Sequence, residues 1–305
     1  MWRPLKHVKD SFLKFNEKKH VYSIDWDRNG SYVPNDLSVS SFVKRNFAAF
    51  DPDKTISSMR SNKKFWTKRK NYRGKSNDDI KKEWSARGLE ARNAGTKLHK
   101  EIELFYLANA DDDHDGSRSM VPLSMPIHLI GKSHEFDQFF RYATYMHKKG
   151  YTPLRVEWMV YSDRYHCVIG TIDMVYVSPR QPEPECPLPH RLKQLHVTLV
   201  DWKRIKAMKQ WAQDKGTGPC SDVSNANFFH YSLQLNTYKY IIEHFYQGIE
   251  YNGVTYDEIV VDSMWLVVFH TNRKDYMRLK CPDMQDTVRK MMFERRAQLN
   301  KAKYY

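Results

Sequence analysis

Leu195-His196-Val197-Thr198-Leu199-Val200-Asp201-Trp202-Lys203 is the stretch on which the reading of this chain turns. It is strand-like, and its apolar run ends by delivering an acid and a lysine with one residue between them. Side chains two apart on a strand point to the same face, so Asp201 and Lys203 can share one pocket. A carboxylate placed there can bind a hard divalent cation, and the backbone carbonyl of Trp202 is a further candidate ligand. The lysine can orient a water or stabilise charge on a bound anion. Taken alone the signal is weak, and a surface ion pair is the ordinary reading of such a pair.

Three other stretches give it company. Gly170-Thr171-Ile172-Asp173-Met174-Val175 sets an acid inside an otherwise apolar strand. A buried lone carboxylate costs several kcal/mol unless it is paired or metal-bound, and a cation shared with Asp201 would remove that cost. In Gly95-Thr96-Lys97-Leu98-His99-Lys100-Glu101-Ile102-Glu103, His99 and Glu103 are four apart on a helix. His99 is a candidate ligand, with Glu103 holding its other ring nitrogen. Gln234 and Tyr238 share a helix face, from which they can brace Lys203 or hold substrate. Glu157, on the strand preceding Asp173, is an additional acid of lower rank.

Bulk properties narrow the partners. Lysine and arginine number 50 against 36 acids, a net charge of +14, which favours a polyanionic partner. Apolar residues make up 41% of 305 positions, enough for a sizeable core. The four cysteines, at 167, 186, 220 and 281, show no two-residue gap of a zinc or redox motif, so reduced thiols are expected. No run of 18 apolar residues predicts a membrane span, and residues 1–7 hold no signal-peptide core. An intracellular, soluble protein is the expectation.

The chain order predicts a hairpin, with strands over 20–26 and 31–39 about the turn Asp27-Arg28-Asn29-Gly30, and then a helix capped by Ser40-Ser41 and running to Phe47. Residues 60–75 interleave Arg69, Lys70, Arg73 and other cations with Phe65, Trp66 and Tyr72, a pattern suited to a single-stranded nucleic acid track. A helix is expected from about Asn77 to Ala94, interrupted at Gly95, and a second from Lys97 to Asn109 capped by Thr96. Asp111 to Gly116 reads as an acidic surface turn, and the five prolines of 179–189 as a loop. An amphipathic helix over 133–149, strands over 153–162, 167–177, 195–202 and 260–269, and helices over 224–247 and 283–302 complete the pattern. This is an α/β (α+β) arrangement around one sheet, with a hairpin and basic helical region over 1–94 and a core over 95–305.

In order, the chain presents Gly-Thr-x-x-His, Glu, Gly-x-x-Asp, Asp-x-Lys and Gln-x-x-x-Tyr. That series resembles the RecB-like branch of the PD-(D/E)XK nuclease superfamily, the branch of mitochondrial genome maintenance exonucleases and related viral and phage nucleases. The likeness covers residues 95–240 by motif and 20–95 loosely. It implies a restriction-endonuclease-like core with a central mixed sheet. It also implies a Mg²⁺- or Mn²⁺-dependent nuclease in DNA replication, repair or recombination. His99, Asp173, Asp201, Lys203, Gln234 and Tyr238 match the family's functional positions, and Arg204 and Lys206 follow the site toward the phosphates. Single-stranded DNA ends are the favoured substrate, RNA remaining possible. Some relatives carry an iron–sulfur cluster on one upstream and three C-terminal cysteines. With no cysteine before 167 and no C-terminal cluster, none is expected here. A site-specific endonuclease of the same superfamily and a catalytically inactive nucleic-acid-binding protein stay open at this point.

Overall fold

The computed structural model describes residues 5–16, 19, 21–35, 37–109, 133–179 and 192–302. The acidic turn at 111–116 and most of the proline-rich loop lie outside them. In chain order the strands and α-helices are β1 (Leu13–Asn16), β2 (Val21–Ile24), β3 (Val33–Asn35), α1 (Val39–Lys44), α2 (Pro52–Ser61), α3 (Lys63–Lys68), α4 (Asn77–Ala108) and α5 (His134–Lys148). There follow β4 (Thr152–Tyr161), β5 (Ile169–Val177), β6 (Gln194–Arg204), α6 (Asn227–Phe245), β7 (Ile249–Tyr251), β8 (Val254–Tyr256), β9 (Glu258–Phe269), β10 (Met277–Lys280) and α7 (Gln285–Ala302).

The central sheet has the order β10-β9-β6-β5-β4. All its neighbours run antiparallel except β6 and β9, which are parallel. A parallel pair needs a crossover, and α6 lies within the connection that supplies it. The alternation of side chains along β5 and β6 divides the apolar residues between two cores. Val175, Val177, Leu195, Val197 and Leu199 pack with α1, α6 and α7. Met174, Tyr176, Val200 and Trp202 pack with α4 and α5. The chain is thus a mixed sheet with helices on both faces, the layered α+β arrangement expected from the sequence. Among the described residues no helix is long and apolar enough to cross a membrane.

Several expected boundaries are corrected. Gly95 does not interrupt a helix: α4 is continuous for 32 residues, capped by Ser76 in a capping box with Asp79. A glycine inside a helix costs about 1 kcal/mol relative to alanine. Burial of Leu98, Ile102, Phe105 and Tyr106 offsets that easily, at ~1.5–3 kcal/mol for each large apolar side chain. The cap of α1 is Ser38, whose side chain accepts from the Ser41 N–H, and the helix ends at Lys44 rather than Phe47. β3 covers only three residues of the predicted return strand. β1 was not expected; it pairs with β2, and Leu13 and Ile24 cover Tyr161 and Ile169 of the main sheet.

Candidate metal centre and its lysine

The site forms where β4, β5 and β6 lie side by side. The pairs Val156↔Met174 and Trp158↔Ile172 set Glu157 across from Asp173. The pair Met174↔Val200, carried one step on, sets Asp173 across from Asp201. Residues opposed in this way have Cβ atoms roughly 4.5–5.5 Å apart. The Trp202 N–H donates to Asp173 Oδ2 at 2.7 Å, which ties the Asp173 carboxylate to the peptide that follows Asp201. Glu157 has φ +47°. A non-glycine residue in this left-handed region costs of order 1–3 kcal/mol, and such strain clusters at functional sites.

His99 reaches the same place from α4. Its Nδ1 lies 3.4 Å from Glu157 Oε1 and 3.8 Å from Asp173 Oδ1. Ligand atoms of His99, Glu157 and Asp173 all fall within 4.8 Å of one another, close enough for one ion with bonds of roughly 2.0–2.6 Å. Lys203 Nζ stands 2.6 Å from Asp201 Oδ2. Asp201 Oδ2 thus has the Lys203 ammonium against it, whereas Glu157 Oε1 is buried with no well-formed hydrogen bond, His99 Nδ1 standing off at 3.4 Å. Native interiors rarely tolerate this, because an unsatisfied buried oxygen costs about 1–3 kcal/mol, more when charged. A cation held among His99, Glu157 and Asp173 would satisfy the Glu157 oxygen.

The charges are strongly coupled. Burial raises the Asp173 carboxyl above the usual range, although His99 and Lys203 pull it back. Burial likewise lifts Asp201 to about 6 against the opposing pull of Lys203. For Lys203 burial works against the ammonium, but Asp201 and Asp173 outweigh it and hold the pKa above that of a free lysine. For His99 burial also opposes the charge; Asp173 and Glu157 more than compensate, and the ring titrates at about 9.

α6 closes the pocket with Tyr231, Gln234 and Tyr238, spaced three and four residues apart on one stripe. Tyr238 is buried and rests on Gly170: a Cβ there would meet the Tyr238 hydroxyl at 2.6 Å, so only glycine lets the tyrosine reach the site. Burial pushes the Tyr238 hydroxyl well up, with Asp173 and Asp201 adding to it. Gln234 is half-buried on the same stripe.

The structure brings together His99, Asp173, Asp201, Lys203 and Tyr238, and it moves Glu157 from the margin to the centre. Other expectations change. Glu103 does not brace His99; it pairs with Lys100 at 2.7 Å, one ridge away on α4. The Trp202 carbonyl faces His99 Nε2 at 3.2 Å, an engagement that competes with ligation. The Arg204 guanidinium is held by Glu135 at 2.7 Å, while Lys206 is exposed. Arg69 and Arg73 are exposed, Arg73 donating to the Thr67 carbonyl at 2.7 Å; the side chain of Lys70 lies outside the description. Tyr72 packs edge-on against Trp84 of α4. From there to His99 is fifteen helical residues, roughly 22 Å. These cations therefore lie well away from the carboxylates, and Tyr72, buried with Ile56 and Ile80, belongs to a small core of its own.

Two residues escaped the sequence reading. Tyr231, its ring centroid 4.8 Å from Lys203 Nζ, was marked only by its three-residue spacing from Gln234. Tyr22 of β2, whose hydroxyl is 3.0 Å from Thr171 Oγ1, carried no signal in the sequence. No protein-family model matches the chain, and no curated protein matches it significantly.

Proposed function

We propose that this chain is a Mg²⁺- or Mn²⁺-dependent deoxyribonuclease of the PD-(D/E)XK type, working as an exonuclease on single-stranded ends in DNA replication, repair or recombination. One observation carries the reading. Three carboxylates on adjacent strands, a helix-borne histidine and a lysine converge on one spot, and the buried Glu157 Oε1 there has no well-formed hydrogen bond. Oxygen donors with one imidazole suit a hard divalent ion rather than a thiolate-seeking one. Glu157, Asp173 and Asp201 would hold it, with His99 beside them.

When bound, the ion supplies charge neutralisation at the scissile phosphate and lowers the pKa of water. The protein does the rest. Lys203 is a protonated ammonium at neutral pH, so it acts by stabilising negative charge developing on the phosphate and by orienting water, not as a free base. Asp201 holds that ammonium in place. Tyr238 and Gln234 form the wall against which a substrate strand lies. The excess of positive charge supplies affinity for the phosphate backbone, which falls as salt rises.

The test uses end-labelled single- and double-stranded DNA and RNA, linear and circular, with Mg²⁺, Mn²⁺ or EDTA. Expected are metal-dependent cleavage of linear single-stranded DNA, survival of the circle, and loss of activity in Asp201→Ala and Lys203→Ala. Equal cleavage by those variants would reject the site, and cutting of the circle would reject exonuclease action.

A further inference from the structure

The segment that leaves the site carries its own binding feature. From Lys203 to Lys215 the chain holds Arg204, Lys206 and Lys209 as well, against Asp214 as the single acid. In its middle stands Trp211, 74% exposed and the one exposed tryptophan among the described residues. Leaving so large an apolar ring in water gives up burial that a folding core would use.

The indole is not on a slack loop. Its neighbour Ala212 donates its N–H to Ser224 Oγ at 2.8 Å and accepts from the same hydroxyl at 3.0 Å. The Phe228 N–H donates to the Lys209 carbonyl at 3.1 Å, and the Asn225 N–H to the Asp214 carbonyl at 2.8 Å. Met208 packs onto the core beneath. The segment is therefore pinned on both sides of Trp211, and the ring is held out at low entropic cost. It borders a cleft of about 1010 Å³ shared with Phe229 and Met284, ample for a flat heterocycle. Its lining mixes Asp283 and Asp286 with Lys215, Lys239 and Arg289, Asp286 being paired with Arg289, so the cleft offers polar partners to the edge of a base.

We propose that Trp211 is a base-stacking platform for single-stranded nucleic acid, with the backbone following Lys206, Lys209 and Lys215 and a base resting on the indole. The proposal rests on the nuclease reading above and adds to it a contact for the strand beyond the reacting bond. Eight residues separate Trp211 from Lys203, so the two are within roughly 29 Å however the loop runs. Stacking on an aromatic face is tolerant of sequence, and losing one such platform weakens binding roughly 5- to 150-fold.

The experiment measures binding of fluorescein-labelled oligothymidylate, and of an abasic strand of equal length, in EDTA at one salt concentration. The full chain is compared with Trp211→Ala and Trp211→Phe, and circular dichroism checks the fold of each. Expected is a 5-fold or greater loss of oligothymidylate affinity in Trp211→Ala, most of it restored in Trp211→Phe. The abasic strand should not distinguish the three proteins. Equal oligothymidylate affinity for wild type and Trp211→Ala overturns the platform, and would leave the indole to another occupant such as a protein surface. An equal loss on the abasic strand overturns stacking as its cause. If the wild type cleaves DNA while Trp211→Ala binds normally, only this inference fails. If the wild type neither binds nor cleaves, the nuclease reading fails with it.

Discussion

Replacing Asp173 by asparagine removes one negative charge from the site at nearly constant volume. The amide oxygen can still accept the Trp202 N–H that the carboxylate accepts now, so the strand edge keeps its anchor. What changes is the field at His99. With Asp173 Oδ1 3.8 Å from His99 Nδ1, and an effective dielectric of about 20, the attraction is about 4 kcal/mol. At 1.36 kcal/mol per pH unit, its loss lowers the His99 pKa from about 9 to about 6. The assay is NMR titration of the ring in EDTA-treated protein, with the signal assigned by its absence in His99→Gln. The sign also appears in stability. A histidine raised above its unfolded value contributes stability that is complete below about pH 6.5 and is lost as pH rises through about 9. The gap between wild type and variant is therefore largest near pH 6 and closes by pH 10. A metal ion ligated by His99 must displace its proton, so in the wild type affinity for Mn²⁺ should rise with pH up to about 9. If the variant's His99 still titrates above pH 8, Asp173 does not govern the ring, and the electrostatic account of the site is wrong.

Three further outcomes follow from the fold. Gly95→Ala adds a methyl with no atom within 4 Å in the interior of α4, so denaturant unfolding should show a gain of about 0.5–1 kcal/mol; a loss would mean the helix is broken there. Gly170→Ala drives a Cβ to 2.6 Å from the Tyr238 hydroxyl and 3.1 Å from Val39, and should cost about 1–3 kcal/mol along with most of the proposed metal-dependent cleavage. An unchanged variant would show that Tyr238 does not sit on β5. Lys9, half-buried so that desolvation lowers its pKa to about 7, contacts the Tyr161 and Tyr246 rings at 4.0 and 4.5 Å. A depressed lysine burdens the folded state at pH 7 and is relieved toward pH 10, because the unfolded chain then holds the extra proton. The stability of wild type relative to Lys9→Met should therefore rise by about 2–4 kcal/mol from pH 7 to 10, less whatever the rings return to the ammonium; a flat difference would contradict the burial.

What the chain disclosed by itself was whatever depends on short spacing. Asp201 and Lys203 share a strand face because strands repeat every two residues, and Gln234 and Tyr238 share a helix face because helices repeat every 3.6. The acid inside the apolar run at Asp173 announced a cost that needed an answer. Short range also misled: Gly95-Thr96 has the local look of a stop and a new cap, yet α4 runs through it because Leu98, Ile102 and Phe105 are buried against partners distant in sequence. Spacing of four made Glu103 a partner for His99, while Lys100 was nearer. Only the tertiary structure made Glu157 central, since its place opposite Asp173 is a matter of strand register, and register follows from which strands pair and which faces are buried. Only it brought Tyr22 and Tyr231 to the site and bound Arg204 to Glu135. Local periodicity fixes the direction of a side chain, but its neighbours across the sheet are selected by packing of the whole domain, and no window of sequence contains that.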